Sequence, residues 1–177
     1  AVIGSALANV LEATGYDVER EYYINDAGNQ MDRFNESLLA RYRQLHGLDA
    51  DVPPDGYLGE YMVDLAREIR EEVGDRFLSM PTDRAMGEVG EIGLKKMVEA
   101  IQADLETLGV RFDVWFSEQS LYSDGQYDEA MRLLEQNGHI VRREGASWFA
   151  SSALGEDKDA VLVRSTGVPT YFATDVA

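Results

Sequence analysis

Residues 17–30 read Asp17-Val18-Glu19-Arg20-Glu21-Tyr22-Tyr23-Ile24-Asn25-Asp26-Ala27-Gly28-Asn29-Gln30. The first eight are rich in Val, Tyr and Ile and short enough for one strand. The last six hold Asn, Asp and Gly, which end strands and open turns. The segment predicts a strand over 17–24 that runs into a polar loop. In an open α/β sheet, ligands bind outside the carboxyl ends of the strands, so Asn25 and Asp26 are candidate binding residues. The same two residues could instead cap a following helix, with a turn at Gly28. The residues alone leave both readings open.

Outward from this stretch the apolar spacing alternates between two periods. Leu7, Val10 and Leu11 are spaced as on a helix that stops at Gly15. Met31, Phe34, Leu38, Tyr42 and Leu45 form one face of a helix ending near Gly47. Leu48 to Gly59, with Pro53-Pro54 and Asp55-Gly56, is the clearest break in the chain. Met62, Leu65, Ile69 and Val73 mark a further helix. A long helical region follows from about Thr82 to Leu108, striped by Leu94, Met97, Val98, Ile101, Leu105 and Leu108. Its start is weakened by Gly87, Gly90 and Gly93, since a glycine costs about 1 kcal/mol against alanine in a helix interior. The period then falls to two: Val110, Phe112, Val114 and Phe116 predict a strand over 110–116. A short helix over 127–136 stops at Gly138. Runs at 139–143 and 147–150, joined by Glu144-Gly145-Ala146, suit a hairpin, and Ala160 to Val163 reads as another strand. From Thr170 to Ala177 a helix begins behind Pro169. The class is α/β, divided into a strand-and-helix start at 1–30, a mainly helical excursion at 31–109, and a strand return with a small β-rich segment and a final helix at 110–177.

The chain has 177 residues, with 16 basic and 33 acidic side chains for a net charge of −17. Its 45% hydrophobic content is that of a packed protein rather than a disordered one. There is no apolar run long enough to span a bilayer and no basic-then-apolar leader, so an internal, cytoplasmic location without a membrane partner is expected. Absence of cysteine excludes disulfides, thiolate metal sites and a cysteine nucleophile. The acidic balance argues against this stretch alone gripping nucleic acid, whose affinity rests on Lys and Arg releasing counterions.

Local motifs for chemistry are few. The loop from Asp49 to Glu60 imitates the acidic spacing of a calcium site, but Pro54 stands where a glycine must turn and Pro53 replaces an oxygen ligand. His46 precedes a helix-ending glycine and His139 opens a strand; neither has a second histidine at metal spacing. No metal ligands and no catalytic side chains are assigned. Tyr171 and Asp175 are four apart and share a face if 170–177 is helical. A phenol beside a carboxylate suits a hydrogen-bonding cation, and a guanidinium above all, because its planar fork matches two carboxylate oxygens. On spacing alone the pair reads as an ordinary exposed pair on a helix surface.

Several blocks, in order, resemble the catalytic region of arginyl-tRNA synthetases, a class I aminoacyl-tRNA synthetase family. They are Ala1-Val2-Ile3-Gly4; Glu19 through Gln30; Gly56-Tyr57-Leu58-Gly59-Glu60-Tyr61; Phe112-Asp113-Val114-Trp115-Phe116-Ser117-Glu118; Asp157-Lys158-Asp159; Arg164-Ser165; and Pro169-Thr170-Tyr171-Phe172-Ala173-Thr174-Asp175. The resemblance spans essentially the whole chain. It implies a partial Rossmann-like class I catalytic domain with a largely helical insertion and a small β-rich segment. The family's HIGH signature would precede Ala1 and its KMSKS-like loop would follow Ala177, so an internal fragment, inactive by itself, is the expectation.

The resemblance further implies an arginine–tRNA ligase, which activates arginine with ATP and Mg²⁺ and passes it to tRNA. No tightly bound cofactor is expected on the fragment. Tyr171 and Asp175 match the family's pair that recognises the substrate guanidinium, and Asn25 and Asp26 lie in a block lining the cleft. Arginine, ATP and tRNA are the partners of the whole enzyme. Weak or no tRNA binding, and self-association through sheet edges and apolar faces, are expected of the piece alone. A competing reading is a non-catalytic acidic α/β binding module.

Overall fold

A computed structural model describes residues 1–177. The chain divides into two compact units, one of residues Ala1–Tyr22 and Asp26–Trp115 and one of residues Tyr23–Asn25 and Phe116–Ala177.

The first unit is helical. It holds α1 (Val2–Ala13), α2 (Asn29–Leu45), α3 (Glu60–Val73), a 3-10 turn at Arg76–Leu78 and α4 (Thr82–Thr107). The apolar faces read from the sequence close on one another. Phe34, Leu38, Leu39 and Tyr42 of α2 meet Met62, Leu65, Ala66 and Ile69 of α3, Phe77, and Ala85 and Val89 of α4. The Tyr42 hydroxyl, inside this core, donates to the Gly74 carbonyl at 2.6 Å, which satisfies the one polar atom its burial would strand.

The three glycines do not break α4. Gly90 and Gly93 face α2 so closely that an added Cβ would lie 2.0 Å from Asn35 Oδ1 and 2.2 Å from Leu38 Cδ2, whereas one on Gly87 would meet nothing within 4 Å. Two of the three therefore form a notch that lets α2 and α4 approach, and packing outweighs their poor helix propensity.

The break at 48–59 docks on α2 through Ser37, whose Oγ accepts the Tyr57 N–H at 2.9 Å and donates to the Arg33 carbonyl at 2.6 Å. A Cβ on Gly56 would fall 2.5 Å from that same oxygen. The segment is thus fixed by backbone groups that only glycine lets come close.

α1 is apolar yet buries only Ala8; Val2, Ile3, Leu7 and Val10 are all exposed. It is tied down by Arg20, whose guanidinium donates to Glu12 at 2.7 and 2.8 Å and to Asn9 at 2.9 Å.

Two strands, β1 (Glu21–Ile24) and β2 (Val114–Ser117), pair in a two-stranded sheet. Both are shorter than the periodicity predicts. β1 starts at Glu21 rather than Asp17, because the Arg20 N–H is taken by the Asp113 carboxylate at 2.8 Å. β2 starts at Val114 rather than Val110, because Val110 belongs to the end of α4. Gly109, at φ 72°, donates to Glu106, and Val110 donates to Leu105, each at 2.9 Å. This is the paired 5→2 and 6→1 closure of a Schellman motif, with buried Val110 as its apolar contact.

The second unit holds α5 (Glu118–Ser123), α6 (Gln126–Gln136), β3 (Ile140–Arg143), β4 (Ala146–Phe149), a 3-10 turn at Ser151–Leu154, β5 (Ala160–Val163) and α7 (Tyr171–Val176). β3, β4 and β5 form an antiparallel sheet in that order, with Ile140 opposite Phe149 and Arg143 opposite Ala146. Glu144 and Gly145 make the hairpin turn with φ of 53° and 76°, the positive values that tight two-residue turns demand. α5 and the 3-10 turn are not foreshadowed by periodicity, being too short to show one.

Candidate functional site

The site is built where β5 hands the chain to α7. After Val163 the chain reverses: Gly167 donates to Arg164 and Arg164 to Val168, each at 2.9 Å, and Val163 bridges Pro169. Thr170 then lies beside β5, its N–H on the Leu162 carbonyl at 2.9 Å. Leu162 is itself fully buried, so the anchor is firm.

α7 begins at the next residue. Ala173 and Thr174 are its buried side, and the Thr174 hydroxyl donates to the Tyr171 carbonyl at 2.8 Å. Phe172 packs near Phe149, ring centroids 6.0 Å apart. Burial of 173 and 174 turns positions 171 and 175 outward together. Tyr171 is 62% exposed and Asp175 is also exposed, one turn apart on the same face. The predicted pairing of phenol and carboxylate is therefore present as a local geometry.

Asn25 follows β1, is exposed, and belongs to the same unit as Tyr171 and Asp175. Asp26 is half-buried and belongs to the first unit. Neither occupies the N-cap position of a helix: α2 begins at Asn29 and its N-cap is Gly28, with φ 75°.

One residue of interest is not singled out by sequence reasoning. Glu118, the first residue of α5 directly after β2, is 4% exposed and is the only charged side chain buried to that degree. Its carboxylate is felt by Tyr122, whose hydroxyl is pushed above its ordinary value first by burial and then by Glu118. An acidic residue in the first turn of a helix entered straight from an apolar strand was the available signal.

A concavity of about 470 Å³ is lined by Asn29, Gln30, Arg33, Asp55, Gly56 and Tyr57. Its one cation, Arg33, is paired with Asp55 at 2.9 Å and Glu36 at 3.1 Å. An anion would have to compete with both carboxylates, so this hollow is poorly suited to phosphate.

Asp159, from the Asp157-Lys158-Asp159 block, is structural in its contacts. It accepts the N–H and hydroxyl of Ser152 at 3.1 and 2.6 Å and pairs with Arg143, which lies over the Trp148 ring at 4.8 Å. These bonds hold its carboxyl below the usual range, Ser152 contributing most.

The family profile described as tRNA synthetases class I (R), catalytic domain, matches residues 1–177. The arginine–tRNA ligase of Dehalococcoides mccartyi strain BAV1 is 56% identical over 177 residues, all of this chain and 32% of that protein. The arginine–tRNA ligase of Carboxydothermus hydrogenoformans is 48% identical over the same span and again 32% of its length. Among solved structures, an arginyl-tRNA synthetase from Campylobacter jejuni superposes with a TM-score of 0.84 at 34% identity, over 98% of this chain and 38% of that one. The Thermus thermophilus arginyl-tRNA synthetase gives 0.63 at 26% identity, over 98% and 30%. The chain spans about a third of the length of the curated relatives it matches. The mixed helix-and-strand fold is that of the class I arginyl-tRNA synthetase catalytic region, and the chain belongs to this family.

Proposed function

We propose that this chain is a segment of an arginine–tRNA ligase and forms the amino-acid side of its pocket. In the reaction the relatives' name implies, the arginine carboxylate attacks the α-phosphate of ATP and pyrophosphate leaves. The arginyl group then passes from the adenylate to a terminal ribose hydroxyl of tRNA, and AMP is released. Residues 1–30 would belong to the Rossmann-like core, 31–109 to a mainly helical insertion, and 110–177 to the strand return, a small β-rich segment and the start of the substrate-site helix.

The observation that carries the reading is the shared outward face of Tyr171 and Asp175 on α7. The Asp175 carboxylate accepts two parallel N–H bonds from the substrate guanidinium, and the Tyr171 ring and hydroxyl cover its flank. Asn25 and Asp26 supply further polar contacts to the substrate. Lysine is rejected because an ammonium cannot reproduce the planar fork, leaving part of the carboxylate unpaired once water is excluded.

ATP and Mg²⁺ enter as requirements of the whole enzyme. Mg²⁺ bound with a nucleotide takes one or two carboxylates plus phosphate oxygens. No group of three or more His, Asp or Glu side chains in this chain is placed to hold a metal ion, so no residue is assigned to it. With a charge of −17, the segment alone binds tRNA weakly or not at all. No helix is long and apolar enough to cross a membrane; a cytoplasmic place is part of the proposal.

The test is arginine-dependent ATP–pyrophosphate exchange by the full-length protein that carries this segment. Asp175→Ala is expected to raise the arginine KM roughly a hundredfold, the loss of two charge-assisted bonds. An unchanged arginine KM in that variant would overturn the assignment.

A further inference from the structure

Threonine at the first position before a helix normally bends its hydroxyl back to accept an N–H of the first turn. Thr170 does not. It is the N-cap of α7 by backbone position, with φ −96° and ψ 164°, yet makes no side-chain bond to the helix. Its Oγ1 points to the strand instead, 2.6 Å from the Val161 carbonyl and 3.2 Å from that of Leu162. A hydroxyl carries one proton, so the shorter contact takes it. With the Thr170 N–H on Leu162, two successive carbonyls of β5 are engaged by one residue.

The first turn of α7 takes its position from what fastens its entry and its inner side. The inner side rests on small residues, Ala173 and Thr174, which resist sliding poorly. The fastening is at Thr170, immediately before Tyr171 and one turn and a residue before Asp175.

We infer that Thr170 is a positioning residue for substrate recognition: its hydroxyl locks α7 to the edge strand β5 and so sets the aim of Tyr171 and Asp175. This rests on the assignment of that pair to the guanidinium. Loss of the lock displaces the pair without removing any group that touches substrate, and misplacement by a fraction of an ångström weakens a bidentate contact sharply.

Three variants of the full-length protein separate this role from ordinary capping. Thr170→Val keeps the shape and removes the hydroxyl. Thr170→Asp is a better N-cap but has no proton to donate, and its negative charge would otherwise favour a cationic substrate. Thr170→Ser keeps the donor. In arginine-dependent ATP–pyrophosphate exchange, the Val and Asp variants are expected to raise the arginine KM about tenfold with the ATP KM changed less than about twofold, and Ser to restore it. An arginine KM at the parental level in Thr170→Asp would show a cap and overturn the proposal. So would a Ser variant as impaired as Val, or equal rises in both KM values. Asp175→Ala in the same assay keeps the two readings apart. If it raises the arginine KM and the Thr170 series does not, only the lock fails; if it does not, the pair's assignment fails and the lock with it.

Discussion

The Tyr57 N–H donates to the Ser37 Oγ at 2.9 Å, and the same oxygen donates to the Arg33 carbonyl one helical turn back at 2.6 Å. One fully buried hydroxyl thus satisfies a loop donor and ties the 48–59 segment to α2. Ser37→Ala leaves the Tyr57 N–H without this partner. A buried donor left unsatisfied costs about 1–3 kcal/mol. Urea unfolding of the chain, followed by circular dichroism, is expected to show a free energy of unfolding lower by that amount and a correspondingly lower midpoint. An unchanged midpoint would mean the loop is held by other contacts.

The glycines of α4 separate propensity from packing. Gly87→Ala is expected to raise stability by up to about 1 kcal/mol, since its Cβ enters open space on a helix. Gly93→Ala is expected to lower it by about 1–3 kcal/mol through overpacking, because its Cβ falls on buried Leu38 with the Phe34 ring at 3.3 Å. Gly90→Ala should fall between them, its obstacle being the Asn35 amide. Thermal melts of the three variants check the order, and a uniform response to all three would refute the notch.

Much of this was legible in the residues. The faces through Phe34, Leu38 and Tyr42, and through Met62, Leu65 and Ile69, close as their spacing requires, and the Tyr171 and Asp175 pairing follows from a separation of four. The rest turned on tertiary facts that spacing does not carry. Val110 alternates like a strand residue, but Gly109 commits it to the end of α4. Gly90 and Gly93 look like helix breakers until α2 lies against them. Glu118 is a surface residue by type and a buried one by placement, and the direction of the Thr170 hydroxyl depends on β5 arriving beside it.

Acid should weaken the surface network in a defined range. Glu12, Glu88 and Glu129 have carboxyl groups held below the ordinary 4.5, chiefly by side-chain bonds from Arg20, Arg84 and Arg132, and Asp159 is held below 3.8, chiefly by Ser152. In each the folded value is the lower one. Their contribution is therefore complete above the unfolded values and is lost as pH falls through the folded ones. Stability should be level from neutral pH to about 5 and then decline. Glu12 and Glu129 are exposed, so added salt should flatten their part of the slope. A decline that begins well above pH 5 would point to groups other than these four carboxylates.

Alkali tests the core. The Tyr42 hydroxyl is pushed above 10.0 mainly by burial. A raised folded value means the contribution is present below the unfolded value and lost as pH rises through the folded one. Ionisation would also turn its bond to the Gly74 carbonyl from attraction to repulsion. Tyr42→Phe is expected to be less stable at neutral pH by about 0.5–1.5 kcal/mol and to lose less than the parent above pH 10. Parallel pH profiles for the two proteins would remove Tyr42 from the alkaline transition.

Tyr171 offers a test in which folding and recognition part company. Its side chain is 62% exposed, and the bond that closes its turn runs to its backbone carbonyl, so Tyr171→Phe should leave stability within about 0.5 kcal/mol. If the hydroxyl bonds the substrate guanidinium, its loss should raise the arginine KM of the full-length protein about three- to tenfold, the range of one net hydrogen bond. Tyr171→Ala removes the ring as well, and the further rise measures the cation–π share. Phe equal to the parent with Ala impaired would assign recognition to the ring. Both equal to the parent would leave Asp175 as the only member of the pair that binds, and the outward face of α7 would then present a single carboxylate rather than a two-residue clamp.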